Sequence, residues 1–238
     1  PPAVSAQPRS RVARRVAAGA VIGVLVVAGV AVAVASRPGH QAPSPVIVDD
    51  RFARPSGWPE EDDTGGSAVF APGRYSVTAR QANAFYDVGA PVDPARLAAG
   101  VGISAETVVG PHDRALFGVF CKPSEQAFPR YVAYVQASGY WSVRRYAADG
   151  SLRVLAEAGS PEQYSRAIAP SGTNHVRLDC IGQAGSQTLA LSVNGRPVAV
   201  AQDRDPLGPT QVVGLSVSSE LGDPPVTVAF TGFGVRQV

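Results

Sequence analysis

Methionine is absent from all 238 residues, and lysine occurs once, at Lys122, against twenty arginines. A reading frame needs an initiator, so a chain that opens Pro1-Pro2 without Met is expected to continue a longer polypeptide. The arginine excess, in a chain rich in Ala, Val, Gly and Pro, fits the coding bias of a GC-rich genome and marks no site. Histidine is scarce too: His40, His112 and His175 fall in a spacer, a loop and a strand, which leaves no local Ser-His-Asp signature. No HExxH, P-loop or dinucleotide-binding glycine pattern occurs. The two cysteines, Cys121 and Cys180, lack the matching His or Cys partners of a metal site. These absences leave little room for an enzyme, and no cofactor is expected.

What is present begins with Val16–Ala35, twenty residues without a charge. At 1.5 Å per residue a helix of this length covers about 30 Å, the hydrocarbon thickness of a bilayer. Arg9, Arg11, Arg14 and Arg15 precede it and Arg37 follows it. The positive-inside bias then makes residues 1–15 a Pro- and Arg-rich cytoplasmic tail, 16–35 a transmembrane helix, 36–45 a spacer and 46–238 an extracellular domain. A cleaved signal peptide is the alternative, because Ala33, Ala35 and Ser36 make an A-x-A cleavage pattern. Either reading exports the remainder to a compartment that permits a Cys121–Cys180 disulfide. All nineteen acidic residues lie beyond residue 48, with fifteen Arg and one Lys, so the exported part is near −3 and offers nucleic acid no basic surface.

From Val46 onward the periodicity is two. VIVDDRF reads as a first strand, and Tyr75, Val77 and Ala79 share a face opposite Ser76, Thr78 and Arg80. Residues 56–67, SGWPEEDDTGGS, exclude regular structure, and their acids Glu60, Glu61, Asp62 and Asp63 are either a solvated loop or a calcium site. Residues 93–100 allow one helical turn. Asp149-Gly150 and Asn194-Gly195 read as two-residue hairpin turns, since type I′ needs positive φ at both positions. Val176, Leu178 and Cys180 face inward, leaving His175 in solvent, and Leu189, Leu191 and Val193 face the core. About twelve short strands with almost no helix signal predict an antiparallel β-sandwich.

The order of several short stretches also carries a resemblance. DDRF (49–52) and SGW (56–58) are followed by FGVFCK (117–122), RYVAYV (130–135), YWSVRRY (140–146), HVRLDCIG (175–182), LSVNGRPVAV (191–200) and VAFTGFGV (228–235). Together they resemble the concanavalin A-like lectin/glucanase jelly rolls, in particular the laminin-G-like and keto-disaccharide-hydrolase-like modules outside actinobacterial membranes. The resemblance implies two large antiparallel sheets, one concave, with sugar held on the concave face in lectin and glucanase members. Similar modules also serve as ectodomains of single-pass membrane Ser/Thr kinases, and the resemblance implies that role as an expectation here. The glucanase pattern E-x-D-x-E is absent, so no catalytic residues carry over, and no strand presents the close carboxylate pair of a retaining glycosidase.

Alternation in GYWSVRRYAA places Tyr140, Ser142, Arg144 and Tyr146 on one side and Trp141, Val143 and Arg145 on the other. If RYVAYVQAS is the neighbouring strand, Tyr134 and Gln136 join the first set. Aromatic faces among hydrogen-bond donors suit a sugar ring; the alternative is that the tyrosines cover core edges with their hydroxyls in water. The expectation is a non-catalytic, membrane-anchored binding module for an envelope glycan. A structural or protein-interaction subunit of an envelope assembly is the alternative.

Overall fold

Alternating apolar residues become fifteen strands among the described residues, which in the computed structural model are 44–97, 100–110, 114–126 and 128–238. The expected tail, the span Val16–Ala35 and most of the spacer lie outside them, as do His40 and His112. Among the described residues no helix is long and apolar enough to cross a membrane.

In chain order the strands are β1 (Val46–Asp50), β2 (Glu61–Asp62), β3 (Gly66–Ala71), β4 (Arg74–Ala79), β5 (Phe85–Gly89) and β6 (Gly100–Val109). Then come β7 (Leu116–Lys122), β8 (Arg130–Val135), β9 (Trp141–Tyr146), β10 (Leu152–Glu157) and β11 (Gly172–Gln183). The last four are β12 (Ser186–Val193), β13 (Arg196–Asp203), β14 (Val212–Ser218) and β15 (Val226–Gln237). One sheet runs β13-β12-β11-β6-β15-β4-β3-β2, with β1 also pairing β15, and the other runs β10-β9-β8-β7-β14-β5. All pairs are antiparallel. The core between the sheets takes the inward residues of both, among them Val77, Ile103, Phe117, Val119, Leu178, Leu189, Leu215 and Val235. Cys121 on β7 and Cys180 on β11 form the expected disulfide, which joins the two sheets through this core.

Two local expectations are corrected. The Asp149-Gly150 hairpin is not a two-residue type I′ turn: only Gly150 has positive φ (81°), and the Ala147 and Gly150 amides donate to the Ser151 and Ala147 carbonyls. Asp149 without left-handed backbone leaves a three-residue loop with glycine in the last position. Residues 56–67 are not wholly irregular either, because β2 pairs Glu61 with Ala68 and Asp62 with Ser67. The Asp63 carboxylate accepts from the Gly65 and Gly66 amides and so folds the turn that makes this pairing possible. Asn194-Gly195 is the expected tight turn, with φ of 51° and 73°. His175 is exposed, and Pro94–Arg96 is a single 3-10 turn capped by Asp93.

Candidate ligand-binding face

Strand parity divides the middle of the chain between two environments. On β8 and β9, Tyr131, Ala133, Val135 and Val143 enter the core between the sheets. Arg130 pairs with Tyr146, Val132 with Arg144 and Tyr134 with Ser142, and these residues point to the outer face of the six-stranded sheet. By the same parity β7 sends out Leu116, Gly118, Phe120 and Lys122, β14 sends out Gly214, Ser216 and Ser218, and β5 sends out Phe85 and Asp87. The apolar members form a second cluster, separate from the main core, that includes Leu116, Phe120, Val132, Tyr134, Tyr140 and Tyr146.

This face is concave. Phe85 on β5 and Tyr146 on β9 have three strands between them, a spacing of about 19 Å in a flat sheet. Their ring centroids are nevertheless 5.6 Å apart. The Arg130 guanidinium lies between them, 3.6 Å from the Phe85 ring centre and 4.2 Å from that of Tyr146, with Phe128 at 5.2 Å. Its Nε is 3.0 Å from an Asp87 carboxylate oxygen. Only a curled sheet lets side chains from β5 and β9 meet, and their meeting closes the bottom of the concavity. Beneath this bridge Tyr134 is fully buried, its hydroxyl 2.7 Å from Ser216 Oγ, which donates to Asp87 at 2.5 Å. Gly118 lies between Tyr134 and Ser216 in the same cross-strand row, where a Cβ would collide with the Ala133 backbone carbonyl of β8. Burial pushes the Asp87 carboxyl up, against the pull of Arg130, and pushes the Lys122 ammonium down.

Arg144 is the hub of the open end. It donates through Nε to Ser142 Oγ at 2.9 Å, through one terminal nitrogen to Glu220 and through the other to the Tyr140 hydroxyl at 3.3 Å. Its guanidinium carbon is 5.4 Å from the Tyr134 ring centre. Burial works to lower its pKa, but the bonds to Glu220 and Tyr140 prevail and hold it above the usual arginine value. The Tyr140 hydroxyl donates to Glu157 at 3.1 Å, and the Tyr164 ring stands edge-on to Tyr140. Glu157 and Glu220 are exposed at the rim.

All five residues singled out in the sequence therefore share one face, but in different states. Tyr140, Arg144 and Tyr146 are buried flush with it, retaining at most 9% of their surface. Tyr134 lies underneath as support. Gln136 is spent on the β8–β9 connection: its amide nitrogen donates to the Arg114 carbonyl and its amide oxygen accepts from Ser138. The Tyr134 and Tyr140 hydroxyls are bonded to side chains, so neither an open platform nor hydroxyls in water describes these two. Sequence parity could have found Arg130, which lies on β8 in step with Tyr134. Phe85, Asp87 and Glu220 arrive from β5 and from the end of β14, far along the chain, and no local pattern announces them.

The four acids Glu60 to Asp63 do not converge. Glu60 accepts from the Phe70 amide, Glu61 from the Tyr86 hydroxyl, Asp62 pairs with Arg80 and Asp63 holds its own turn. Among the described residues no cluster of three or more His, Cys, Asp or Glu is placed to hold a metal ion.

No protein-family model matches the chain, and no curated protein matches it in sequence. Solved structures do resemble it. The Bacillus licheniformis β-glucanase is 10% identical, with a TM-score of 0.51 over 83% of this chain and 100% of that one. A prokaryotic β-1,3-1,4-glucanase (lichenase) from a mouse hindgut metagenome is 12% identical, with a TM-score of 0.51 over 80% and 99%. A sialidase is 12% identical with the same TM-score over 82% of this chain but only 19% of its own. At these identities what is shared is the fold, a jelly-roll sandwich of two antiparallel sheets.

Proposed function

We propose that the chain is a non-catalytic, membrane-anchored extracellular module that binds an envelope glycan on the concave face of its six-stranded sheet. The observation that carries this reading is the assembly around Arg144, which holds Tyr140, Ser142 and Glu220 in fixed positions over Tyr134. Ring surfaces with oriented polar groups, fixed before a ligand arrives, are what a saccharide site needs, because little ordering entropy remains to be lost on binding. Anchoring rests on the apolar run Val16–Ala35, and the inter-sheet disulfide suits an oxidising compartment. A sensor role for a cytoplasmic domain joined through that span belongs to the same proposal.

Binding is favoured over hydrolysis because the carboxylates of the face are already engaged: Asp87 with Arg130 and Ser216, Glu157 with Tyr140, Glu220 with Arg144. Hydrolysis keeps one point in its favour, the fold shared with two glucanases. A protein-interaction role draws on exposed Leu152 and Val154 on β10 and Val200 on β13, both edge strands. The test is retention of the purified chain on immobilised envelope polysaccharide. Tyr140→Ala and Arg144→Ala should each abolish retention while the thermal melt stays cooperative. Unchanged retention in both variants would move the site elsewhere, and glycan turnover that disappears in Glu157→Gln or Glu220→Gln would replace binding with hydrolysis.

A further inference from the structure

The charge state of the same face restricts what it can hold, and this step rests on the glycan-binding reading above. The strands turn three of their cations to the concave face, and each has a partner. Arg130 is paired with Asp87 and enclosed by rings. Arg144 is paired with Glu220. The Lys122 ammonium, above the Phe120 ring, donates to the carbonyls of Glu125 and Gln126. Toward solvent at the rim stand the carboxylates of Glu157 and Glu220, with the exposed Arg114 just before β7. Two further observations point the same way. Tyr134, Tyr140, Arg144 and Tyr146 of the face keep at most 9% of their surface, so a charged ligand group would exchange its water for mainly ring surface. The domain beyond residue 48 carries three more acids than bases, which repels polyanions at a distance.

We infer that the concave face selects neutral, polyhydroxylated glycans, whose hydroxyls donate to Glu157 and Glu220 while a ring packs against Tyr140 and Tyr164, and that it rejects uronate-, sialate- or phosphate-bearing polymers. The carboxylates act as specificity determinants. A sugar hydroxyl satisfies them, whereas an anion would meet the Glu157 carboxylate, which accepts only from the neutral Tyr140 hydroxyl, and would have to compete with Glu220 for Arg144.

The experiment compares retention of the full chain on immobilised neutral glucan, neutral mannan, polyuronate and a phosphate-bearing polymer. Retention is expected on a neutral polymer and should persist when salt rises from about 0.1 to about 1 M, which shortens electrostatic screening from about 10 to about 3 Å. Glu157→Gln and Glu220→Gln should each weaken it by roughly tenfold or more, the usual worth of a hydrogen bond to a charged group. Thermal melts would confirm that both variants fold. Salt-sensitive retention on an anionic polymer, strengthened by either Glu→Gln change or abolished by Arg114→Ala beside β7, would overturn the inference while leaving glycan binding intact. Retention on none of the four polymers, with the protein folded, would overturn both.

Discussion

Asp203 has no exposed side-chain surface, yet three elements depend on it. Its carboxylate accepts from the Tyr131 hydroxyl at 2.7 Å and from Arg153, and it lies 3.0 Å from Arg145 Nε. These contacts tie β13 of one sheet to β8, β9 and β10 of the other. Burial pushes the carboxyl up, but the bonds from Tyr131, the Asp205 amide and Arg153 outweigh it and hold the group below the ordinary aspartate range. The sign follows. A depressed folded-state pKa contributes stability above the unfolded value of about 3.9 and loses it as pH falls through the folded one. Asp203→Asn should therefore cost about 3 kcal/mol at pH 7, the lower end for a broken buried pair because Arg153 is half exposed. The gap in melting temperature between variant and parent should narrow as the pH drops below about 4. Asp87, whose carboxyl is raised, acts in the opposite sense but is common to both proteins. A gap that is constant with pH would assign the role of Asp203 to packing alone.

At the scale of elements, β14 is paired on both sides in the six-stranded sheet, between β7 and the edge strand β5. Gly214 pairs with Phe120 on one side and Gly89 on the other. A Cβ there would lie 2.1 Å from the Val88 carbonyl oxygen and 2.7 Å from the Phe120 ring, so the strand itself would have to move. Gly214→Ala is expected to destabilise by about 3 kcal/mol, roughly 6–12 °C in melting temperature, and to loosen the floor under the site. The turn Asn194-Gly195 illustrates an element doing two jobs: its backbone reverses the chain, and the Asn194 amide donates to the Ala167 carbonyl, fastening the long connection before β11. Its turn role is legible in two letters. Its anchoring role is not, because residue 167 is distant in sequence and shows no pattern of its own.

Across the whole molecule, the Cys121–Cys180 bridge closes a loop with a sequence separation of 59 and fastens sheet to sheet. The chain-entropy account gives about 4 kcal/mol for such a loop, a model-dependent figure. Replacing both cysteines by serine should lower the denaturant midpoint accordingly, with the loss expressed mainly through the unfolded ensemble. Intact glycan retention in the folded double variant would show that the bridge sustains the sandwich and not the site, since both sulfurs lie in the main core and away from the concave face.

The sequence by itself determined the elements and their parity. Period-two alternation, a tight Asn-Gly turn and two cysteines beyond an apolar run are local or pairwise signals, and they placed an antiparallel sandwich, the disulfide and the common side of Tyr140, Arg144 and Tyr146; that Tyr134 and Gln136 join it depended on β8 lying beside β9. Only the tertiary structure decided what that face is. The curl of the six-stranded sheet brings Phe85 to Tyr146 and Asp87 to Arg130 across intervening strands, and brings Glu220 to Arg144. It turns an expected open row of side chains into a concavity closed at its base. Alternation along a strand states which way a side chain points; how far the sheet curls beneath it depends on contacts between residues far apart in the chain, and no short stretch of sequence contains them.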